Sequence, residues 1–280
     1  MNLSDAVALL CDSAYPSHGS SAGVACSYYG MGEWGEVEGL ADESGVLFRG
    51  GYGGRRTQVA MMRRYSLPAI ASLPAGTRVF CSSPIASAFS PVKRKEYTLT
   101  ISEMGRALNK KSRYNELTHP TKQAWGEGYA LRELRADDLP SITVLHALWV
   151  ANRLADPRVH QISFSRARYL RCCEHVLATR LYPGVVYGLE QRETGALAAV
   201  RVVSLGSRGT AFDLAFFGDR ALPWAARAMQ SASLHRLAES HGVEVINFGE
   251  STSKGLTHFK LRLGAAAHFS YYCVIGGAPT

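Results

Sequence analysis

Residues 185–190 (VVYGLE), 197–203 (LAAVRVV) and 211–217 (AFDLAFF) are three short apolar segments rich in β-branched and aromatic residues, a composition typical of β-strands. The links between them hold a Thr-Gly pair and then a Gly-Ser-Arg-Gly run, and both favour tight turns. Strands joined by such short links pair with their neighbours in the antiparallel sense. This stretch therefore predicts a three-stranded antiparallel sheet.

Further strands and helices are predicted on both sides of these three strands. Before them, the alternating residues 129–134 predict a strand. Ile142, Leu145 and Trp149, at spacings of three and four, predict a helix, and a second helix follows over about residues 166–181. After them the sequence predicts, in order, a helix from 222–224 to 241, a strand at 243–248, a helix at 255–263 and a strand at 267–275.

The first part of the chain has a less regular pattern. Short strands are predicted at residues 46–49, 79–81 and 97–101. The glycine-rich residues 50–54 predict a turn. They lack the Gly-Lys-Ser/Thr ending of a phosphate-binding loop, which argues against that function. Residues 115–127 show little pattern. We therefore predict two domains, an α/β region of uncertain fold at residues 1–115 and a second domain at residues 128–280.

The composition is that of a globular protein with a basic surface. Of the 280 residues 46% are apolar and 19% are charged, the net charge is +8 and the pI is about 9.3. No apolar run approaches the roughly 20 residues of a membrane helix, and the first residues lack the basic start of a signal peptide. The six cysteines show no C-x-x-C pair and no zinc-ligand spacing, which favours thiols in a reducing compartment. We expect a cytoplasmic protein without a metal site or a membrane partner.

Basic residues cluster in two neighbouring stretches, and such a surface attracts polyanions, either nucleic acid (DNA or tRNA) or a phosphorylated cofactor. Two interpretations stay open at this point. The cluster is either a phosphate-contacting patch or the solvated face of a secondary-structure element. The residues of this basic patch are Lys93, Arg94, Lys110, Lys111 and Arg113.

The predicted order of elements resembles the GNAT acyltransferase fold over residues 128–276. The resemblance implies an α+β fold with a mixed, mostly antiparallel sheet flanked by helices. It also implies an N-acyltransferase that moves an acyl group, above all acetyl, from coenzyme A to a primary amine. Because the chain is basic, the amine acceptor could be carried on a modified nucleic acid or another polyanion.

Residues 246–250 (INFGE), residues 255–260 (GLTHFK) and Gly264 resemble the end of the second domain in Fem-type aminoacyltransferases. Residues 108–114 (LNKKSRY) resemble the basic helix that joins the two GNAT-like halves of those proteins. The resemblance implies that residues 1–112 are a shortened, degenerate first half. It also implies an aminoacyl group taken from charged tRNA, with the basic patch in contact with the tRNA.

The segment before the long helix at 222–241 departs from the ordinary GNAT pattern. Enzymes of that type that use acetyl-CoA carry a Gln/Arg-x-x-Gly-x-Gly/Ala loop there, and its amides hold the pyrophosphate. Here residues 217–224 read FGDRALPW, with one glycine and with Pro223, which has no amide proton. Arg220 is a candidate to replace the lost phosphate contact with its side-chain charge, and a plain surface arginine is the alternative.

In a GNAT-like fold, donor and acceptor meet where the strands before and after the central helix separate. The resemblance places the donor site there, with backbone amides from both strands as the groups that bind the carbonyl oxygen. The candidate donor-binding residues are Phe216, Phe217, Gly218, Arg220, Asn247 and Ser251.

Acyl transfer needs a polarised carbonyl, a neutral amine and a proton for the leaving group. Glu250, at the end of a buried strand, is the candidate base, and a carboxylate that favours a helix N-terminus is the alternative. Lys260 is a candidate to stabilise the carbonyl oxygen or to face the donor's phosphate, and a solvated lysine is the alternative. Tyr271 and Tyr272 are candidate proton donors. Because side chains alternate along a strand, one of the two faces the core, and we choose Tyr272 for the catalytic set.

Three functions fit these observations. The first is an N-acyltransferase that uses acyl-CoA. The second is an aminoacyltransferase that uses charged tRNA. The third is a nucleic-acid-binding protein on a GNAT scaffold that carries out no chemistry.

Overall fold

The computed structural model describes residues 32–52, 55–62, 65–81, 84–154, 166–178, 183–206, 209–251 and 253–276. Its strands are β1 (Gly32–Gly39), β2 (Gly45–Tyr52), β3 (Arg55–Met62), β4 (Arg78–Cys81), β5 (Val92–Thr100), β6 (Tyr129–Glu133), β7 (Gly184–Gln191), β8 (Leu197–Leu205), β9 (Thr210–Gly218), β10 (Val245–Glu250) and β11 (Ala266–Val274). Its helices are α1 (Leu67–Ala71), α2 (Lys110–Arg113), α3 (His119–Gly126), α4 (Leu139–Leu154), α5 (Arg166–Leu177), α6 (Ala225–His241) and α7 (Lys254–Leu263).

The described strands form one sheet of 11 strands in the order β1-β2-β3-β4-β11-β5-β10-β9-β8-β7-β6. Two neighbouring pairs, β3 with β4 and β9 with β10, are parallel, and the other pairs are antiparallel. The hairpins β7–β8 and β8–β9 are the antiparallel sheet that residues 185–217 predict. A mixed, mostly antiparallel sheet flanked by helices confirms the predicted fold class.

Two strands join the early and late parts of the chain. β5, from the first half of the sequence, pairs with β10 on one side and with β11 on the other. β11, near the end of the sequence, also pairs with β4. The sheet therefore runs without a break from β1–β4 to the late strands. The division into domains at residues 115–128 stays a prediction.

Helices cover the late strands on both faces. On one face α6 packs with Met229 and Leu234 against strand residues such as Leu99 and Tyr187. On the other face α4 and α5 pack against β8 and β9, with Ile142, Leu145 and Cys173 on the helices and Val200 and Phe217 on the strands. The burial of these apolar side chains is the main stabilising contribution of each layer.

The central helix α6 begins at Ala225, slightly later than predicted, and ends at His241, with Gly242 as its C-cap. Gly242 has φ +62°, a left-handed conformation that favours glycine, and its amide bonds the carbonyl of Ala238 at 3.2 Å. The helix starts late because residues 219–222 form a turn of their own, in which the Leu222 amide bonds the Asp219 carbonyl.

The glycine-rich segment after Arg49 differs from its prediction. Gly50 and Gly51 belong to β2 and pair with Thr57 and Arg56 of β3, so these two glycines lie in a strand and not in the predicted turn. Residues 53 and 54, the last part of the predicted turn, lie outside the described residues. Cross-strand pairing on both sides of β2 keeps these glycines extended despite their low strand propensity.

Four of the six cysteines lie in the described part of the chain, and they are reduced and buried: Cys81, Cys172, Cys173 and Cys273. Within the same residues there is no group of three His, Cys, Asp or Glu side chains that could hold a metal ion. No described helix has the length and apolarity needed to cross a bilayer. Cys11 and Cys26, and the start of the chain, lie outside the described residues.

Candidate active site

β9 and β10 separate soon after they meet. They pair in parallel over only three positions, from Thr210 with Val245 to Phe212 with Asn247. Beyond Asn247 the end of β10 is paired with β5, where Glu250 lies opposite Glu96, while β9 continues along β8 to Gly218. A gap therefore opens between the two strands, at the place where the GNAT resemblance puts the donor.

The β9 side of the gap offers backbone amides. The Asp219 amide bonds the carbonyl of Ala198 on β8 at 2.8 Å. Along a strand the backbone amides point alternately to the two neighbouring sides. The amide of Phe217 therefore also points to β8, and the amides of Phe216 and Gly218 point towards the gap. The Phe217 side chain is fully buried against Trp149 and His146, so this residue packs the core.

Lys260 fixes the backbone on the β10 side. Its side chain is buried, and its Nζ donates to the carbonyls of Phe248 at 2.8 Å, Gly249 at 3.0 Å and Glu250 at 2.8 Å. Burial lowers the pKa of Lys260 to about 8, although nearby carboxylates act in the opposite direction. All three N–H groups of the ammonium are in use. The geometry thus favours a positioning role over the predicted contact with a donor phosphate.

The same three contacts orient the amides at the end of β10. In a trans peptide the N–H points opposite to the C=O, so the amides of Gly249, Glu250 and Ser251 point away from Lys260. The Gly249 amide donates to Asn247 Oδ1 at 2.7 Å. The antiparallel pairing of Glu250 with Glu96 uses the amide of either Glu250 or Ser251, and the other of these two amides is the candidate donor for a ligand. Ser251 Oγ is also buried, without a hydrogen-bond partner among the described residues.

A buried carboxylate that the sequence analysis missed, Glu96, holds Asn247 in place. Glu96 Oε2 accepts from Asn247 Nδ2 at 2.8 Å, and Oε1 accepts from Ser270 Oγ at 2.6 Å. His268 Nε2 lies 3.4 Å from the same carboxylate. Burial alone would raise the pKa of Glu96, but these hydrogen bonds outweigh it and lower the pKa below its usual range. Glu96 is the one acid within the basic run of β5, and that oddity was the available signal.

Glu250 is paired with Arg94. Arg94 Nε donates to Glu250 Oε1 at 2.8 Å, and Nη2 contacts Oε2. Both side chains are about one-third exposed. The structure therefore brings the candidate base together with one residue of the predicted basic patch. Arg94 binds a carboxylate here, whereas the two predictions for it were a contact with phosphate and a place on a solvated face.

The structure distinguishes the two tyrosines of β11. Tyr271 lies opposite Cys81 and packs against the apolar cluster that includes Cys273. Side chains alternate along a strand, so Tyr272 shares the opposite face with Ser270 and His268. Its ring lies 4.8 Å from that of Phe80, and Arg94 lies over Phe80 at 5.4 Å. Tyr272 is thus the tyrosine on the face that carries Glu96.

A second network that the sequence analysis missed lies where β9 leaves β10. Arg201 is fully buried on β8, and its Nε lies 3.1 Å from Asp213 Oδ1 on β9. Its Nη1 donates to Ser233 Oγ on α6 at 2.7 Å. The ion pair joins β8 to β9, and the hydrogen bond to Ser233 joins β8 to α6. Together the two contacts fix the position of the gap.

The segment between β9 and α6 carries an acid where the GNAT pattern has an anion-binding loop. Asp219 Oδ1 accepts from the Ala221 amide at 2.8 Å, and the Ala225 amide bonds the Leu222 carbonyl at 3.0 Å. These amides are therefore used within the turn itself. Arg220 is exposed on the same turn.

The remaining basic-patch residues lie apart from the gap. Lys93 projects from the opposite face of β5 to Arg94, and its Nζ lies 3.7 Å above the Phe269 ring. Lys110, Lys111 and Arg113 form most of the short helix α2 and are exposed.

The sequence itself matches no protein family and no curated protein. One similar solved structure is a conserved protein of unknown function from Bacteroides thetaiotaomicron, with 13% identity, a TM-score of 0.71 and 98% of each chain covered. Another is the C-terminal domain of a putative lysylphosphatidylglycerol synthetase from Agrobacterium fabrum, with 13% identity and a TM-score of 0.62 over 99% of this chain and 93% of that one. FemX matches with 8% identity and a TM-score of 0.63 over 98% of this chain and 96% of its own.

These identities establish similarity of fold alone. The chain has a GNAT-like fold of the kind seen in FemX and in the lysylphosphatidylglycerol synthetase domain. The predicted resemblance to GNAT and Fem-type proteins is confirmed at that level.

Proposed function

We propose that this chain is an acyltransferase that takes an aminoacyl group from charged tRNA and passes it to an amine acceptor. The observation that carries the proposal is the position of Asp219 before α6. Its carboxylate binds the Ala221 amide at 2.8 Å, in the segment where an acetyl-CoA enzyme offers amides to a pyrophosphate. A fixed negative charge there repels a pyrophosphate. A donor whose reactive end carries no pyrophosphate, such as an aminoacyl ester, is therefore favoured.

The similar proteins support the same donor class. The Agrobacterium protein is named as a putative synthetase of a lysyl lipid, and FemX carries the name of the Fem-type aminoacyltransferases. Both likenesses extend over nearly the whole of this chain.

The backbone around the gap supplies groups for carbonyl activation. The acceptor nitrogen attacks the carbonyl carbon of the ester, and negative charge develops on the carbonyl oxygen. The donor for that oxygen is whichever amide of Glu250 and Ser251 does not pair with β5, because Lys260 holds the carbonyls of the same peptide groups, those of Gly249 and Glu250, on the other side. Across the gap, the amides of Phe216 and Gly218 bind the extended part of the donor.

Two side chains move the protons. The Glu250 carboxylate takes the proton that the attacking amine loses as the new C–N bond forms. The Tyr272 hydroxyl donates a proton to the ribose oxygen as the ester C–O bond breaks. A proton then passes from Glu250 to Tyr272 through solvent, and both groups return to their starting states.

Acyl-CoA is the second candidate donor, with acetyl-CoA as the first form to test. The observation in its favour is the edge of β9, whose amides at Phe216 and Gly218 point into the gap. An extended pantetheine arm could pair with them as an added strand does.

The test compares both donors on the same full-length protein. Loss of radiolabelled aminoacyl ester from a mixed charged tRNA pool is followed with and without a simple primary amine. Thiol release from acetyl-CoA is followed in parallel, and heat-inactivated protein is the control in both arms. Amine-dependent loss of the aminoacyl ester, without thiol release, supports the proposal. Thiol release alone makes acyl-CoA the donor, and tRNA binding without turnover supports a role in nucleic-acid binding only.

A further inference from the structure

A cavity lies apart from the candidate active site, at the other end of β10. Its volume is about 880 Å³, within the roughly 300–1,000 Å³ of small-molecule sites. Val243 and Glu244, which precede β10, line it, whereas the candidate base Glu250 ends that strand. The cavity opens between α6 and the segment from α2 to α3.

One helical face points into the cavity from the α3 side. Thr118, Thr121, Lys122 and Trp125 follow the spacing of three, four and seven residues that places side chains on one face of a helix. This face is polar, and its one aromatic ring is 43% exposed, which is unusual for a tryptophan. Such a face is poorly suited to packing a core and well suited to binding a polar ligand with a flat ring.

The cavity has an apolar floor, and α6 contributes polar side chains to the wall opposite α3. Ile101, Leu117 and Val243 are buried lining residues and form an apolar floor. Ser231 and His235 of α6 line the wall that faces α3.

Two cations at the α2–α3 end have no acidic partner among the described residues. Arg113 is held by the backbone, since its Nε donates to the Gly105 carbonyl at 3.1 Å and its Nη2 lies 3.5 Å from the Arg106 carbonyl. The Lys122 ammonium lies 5.9 Å from the Tyr114 ring centre. In the described part of the chain neither residue pairs with a carboxylate, unlike Arg106, which pairs with Glu103. A guanidinium fixed through part of its N–H groups is preorganised to bind a phosphate with the rest.

We propose that this cavity binds a nucleotide. Arg113 and Lys122 bind its phosphate, the exposed Trp125 ring stacks on its base, and the Glu244 carboxylate accepts hydrogen bonds from its sugar hydroxyls. Base stacking on an aromatic side chain is a common feature of single-stranded nucleic-acid sites. The nucleotide is either free in solution or the terminal unit of an RNA strand. In the second case Lys110 and Lys111 of α2, beside Arg113 in the sequence, contact the next phosphates. The proposal does not depend on acyl transfer.

Binding is measured by calorimetry on the full-length protein with AMP, with inorganic phosphate and with a five-nucleotide single-stranded RNA. The variants Arg113→Gln and Lys122→Gln each remove one positive charge from the cavity. Arg106→Gln removes the same charge from a neighbouring residue outside it and is the matched control. Trp125→Leu removes the stacking ring. Lys122 makes no hydrogen bond within the described chain, so Lys122→Gln tests the site even where loss of the Arg113 contacts disturbs folding.

We expect AMP to bind more tightly than phosphate. We expect Arg113→Gln and Lys122→Gln each to lower the affinity for AMP by about tenfold or more, since each removes a charge-assisted contact. Trp125→Leu should also lower the affinity for AMP but leave the affinity for phosphate unchanged. Arg106→Gln should change neither affinity. RNA that binds more tightly than AMP, with a steep salt dependence, identifies a strand end, whereas equal affinities identify a free nucleotide. The proposal is overturned if neither AMP nor RNA binds the wild-type protein. Equal effects of Lys122→Gln and Arg106→Gln would also overturn it.

Discussion

The Arg94 guanidinium on β5 holds the Glu250 carboxylate at the end of β10, 156 residues further along the chain. The contact has two hydrogen bonds, one of 2.8 Å from Nε to Oε1 and one from Nη2 to Oε2. Because the two side chains are 31% and 38% exposed, water screens the pair, and it adds little to stability. Its effect is on position, since it fixes the candidate base at the edge of the gap between β9 and β10.

Replacing either partner of this pair should affect turnover more than stability. We expect Glu250→Gln to lower kcat of acyl transfer by at least about 100-fold, since a positioned base contributes 10²–10⁴-fold. Arg94→Gln should lower kcat less, by about tenfold, because Glu250 keeps its charge and loses only its orientation. The double variant should be no slower than Glu250→Gln alone. Steady-state kinetics and melting curves of all three check this, and multiplicative losses would show that the two residues act independently.

Lys260 should make stability depend on pH in the alkaline range. Burial lowers its pKa from 10.5 in the unfolded chain to about 8 in the folded protein. Between these values the unfolded chain binds more protons, so the free energy of unfolding rises with pH across this window. The guanidinium of Lys260→Arg does not titrate there. The free energy of unfolding of the wild type should therefore rise, relative to this variant, by about 3 kcal/mol from about pH 7.5 to about pH 10.5.

Urea unfolding at a series of pH values measures this difference. Titration of other groups cancels, since both proteins share them. A difference that stays constant between pH 8 and 10.5 would show that Lys260 keeps an ordinary proton affinity in the folded state.

The order of elements after residue 128 could be predicted from the sequence because each strand and helix there has its own local signal. The turns between β7, β8 and β9 carry glycine, Gly242 caps the end of α6, and the buried strand β10 is an apolar run. The position of β5 between β10 and β11 could not be predicted, because pairing between residues so far apart leaves no local pattern.

The site was predicted in part for a similar reason. Glu250, Asn247 and Ser251 follow one another at the end of one strand, so a single local motif placed them. Glu96 reaches Asn247 only through the pairing of β5 with β10, which the sequence does not show. Arg201 and Asp213 had a visible signal, since each is a charge in the middle of an apolar strand, and such residues pair when they are buried.

Glu96→Gln should destabilise the fold and disturb the end of β10. Ser270 and Asn247 both donate hydrogen bonds to the Glu96 carboxylate. At neutral pH the side-chain amide of the variant places an N–H group against one of these donors, and we expect the free energy of unfolding to fall by about 2–4 kcal/mol. The pKa of Glu96 is lowered in the folded protein, so its contribution is present above pH 4.5 and is lost as pH falls through the lower folded value. The difference in free energy of unfolding between wild type and variant should therefore become smaller in acid.

Denaturant unfolding from neutral to acid pH checks this prediction. Glu103→Gln, an exposed acid that pairs with Arg106, is the control and should change stability by less than about 0.5 kcal/mol. If the difference in free energy of unfolding between wild type and Glu96→Gln stayed constant as the pH falls, the carboxylate of Glu96 would carry no stabilising charge.

The two neighbouring tyrosines of β11 provide a matched pair of variants for the proton donor. Tyr272 shares a face of the sheet with Ser270 and His268, whereas Tyr271 packs against the apolar cluster around Cys81 and Cys273. Each change to phenylalanine removes one hydroxyl and leaves the ring, so packing is kept in both variants. We expect Tyr272→Phe to lower kcat by about 100-fold with KM little changed, because the hydroxyl acts on the leaving oxygen in the transition state. Tyr271→Phe should keep nearly full activity. Equal rates for the two variants would remove Tyr272 from the mechanism, and a donor with a better leaving group should restore much of the rate of Tyr272→Phe if it protonates the leaving oxygen.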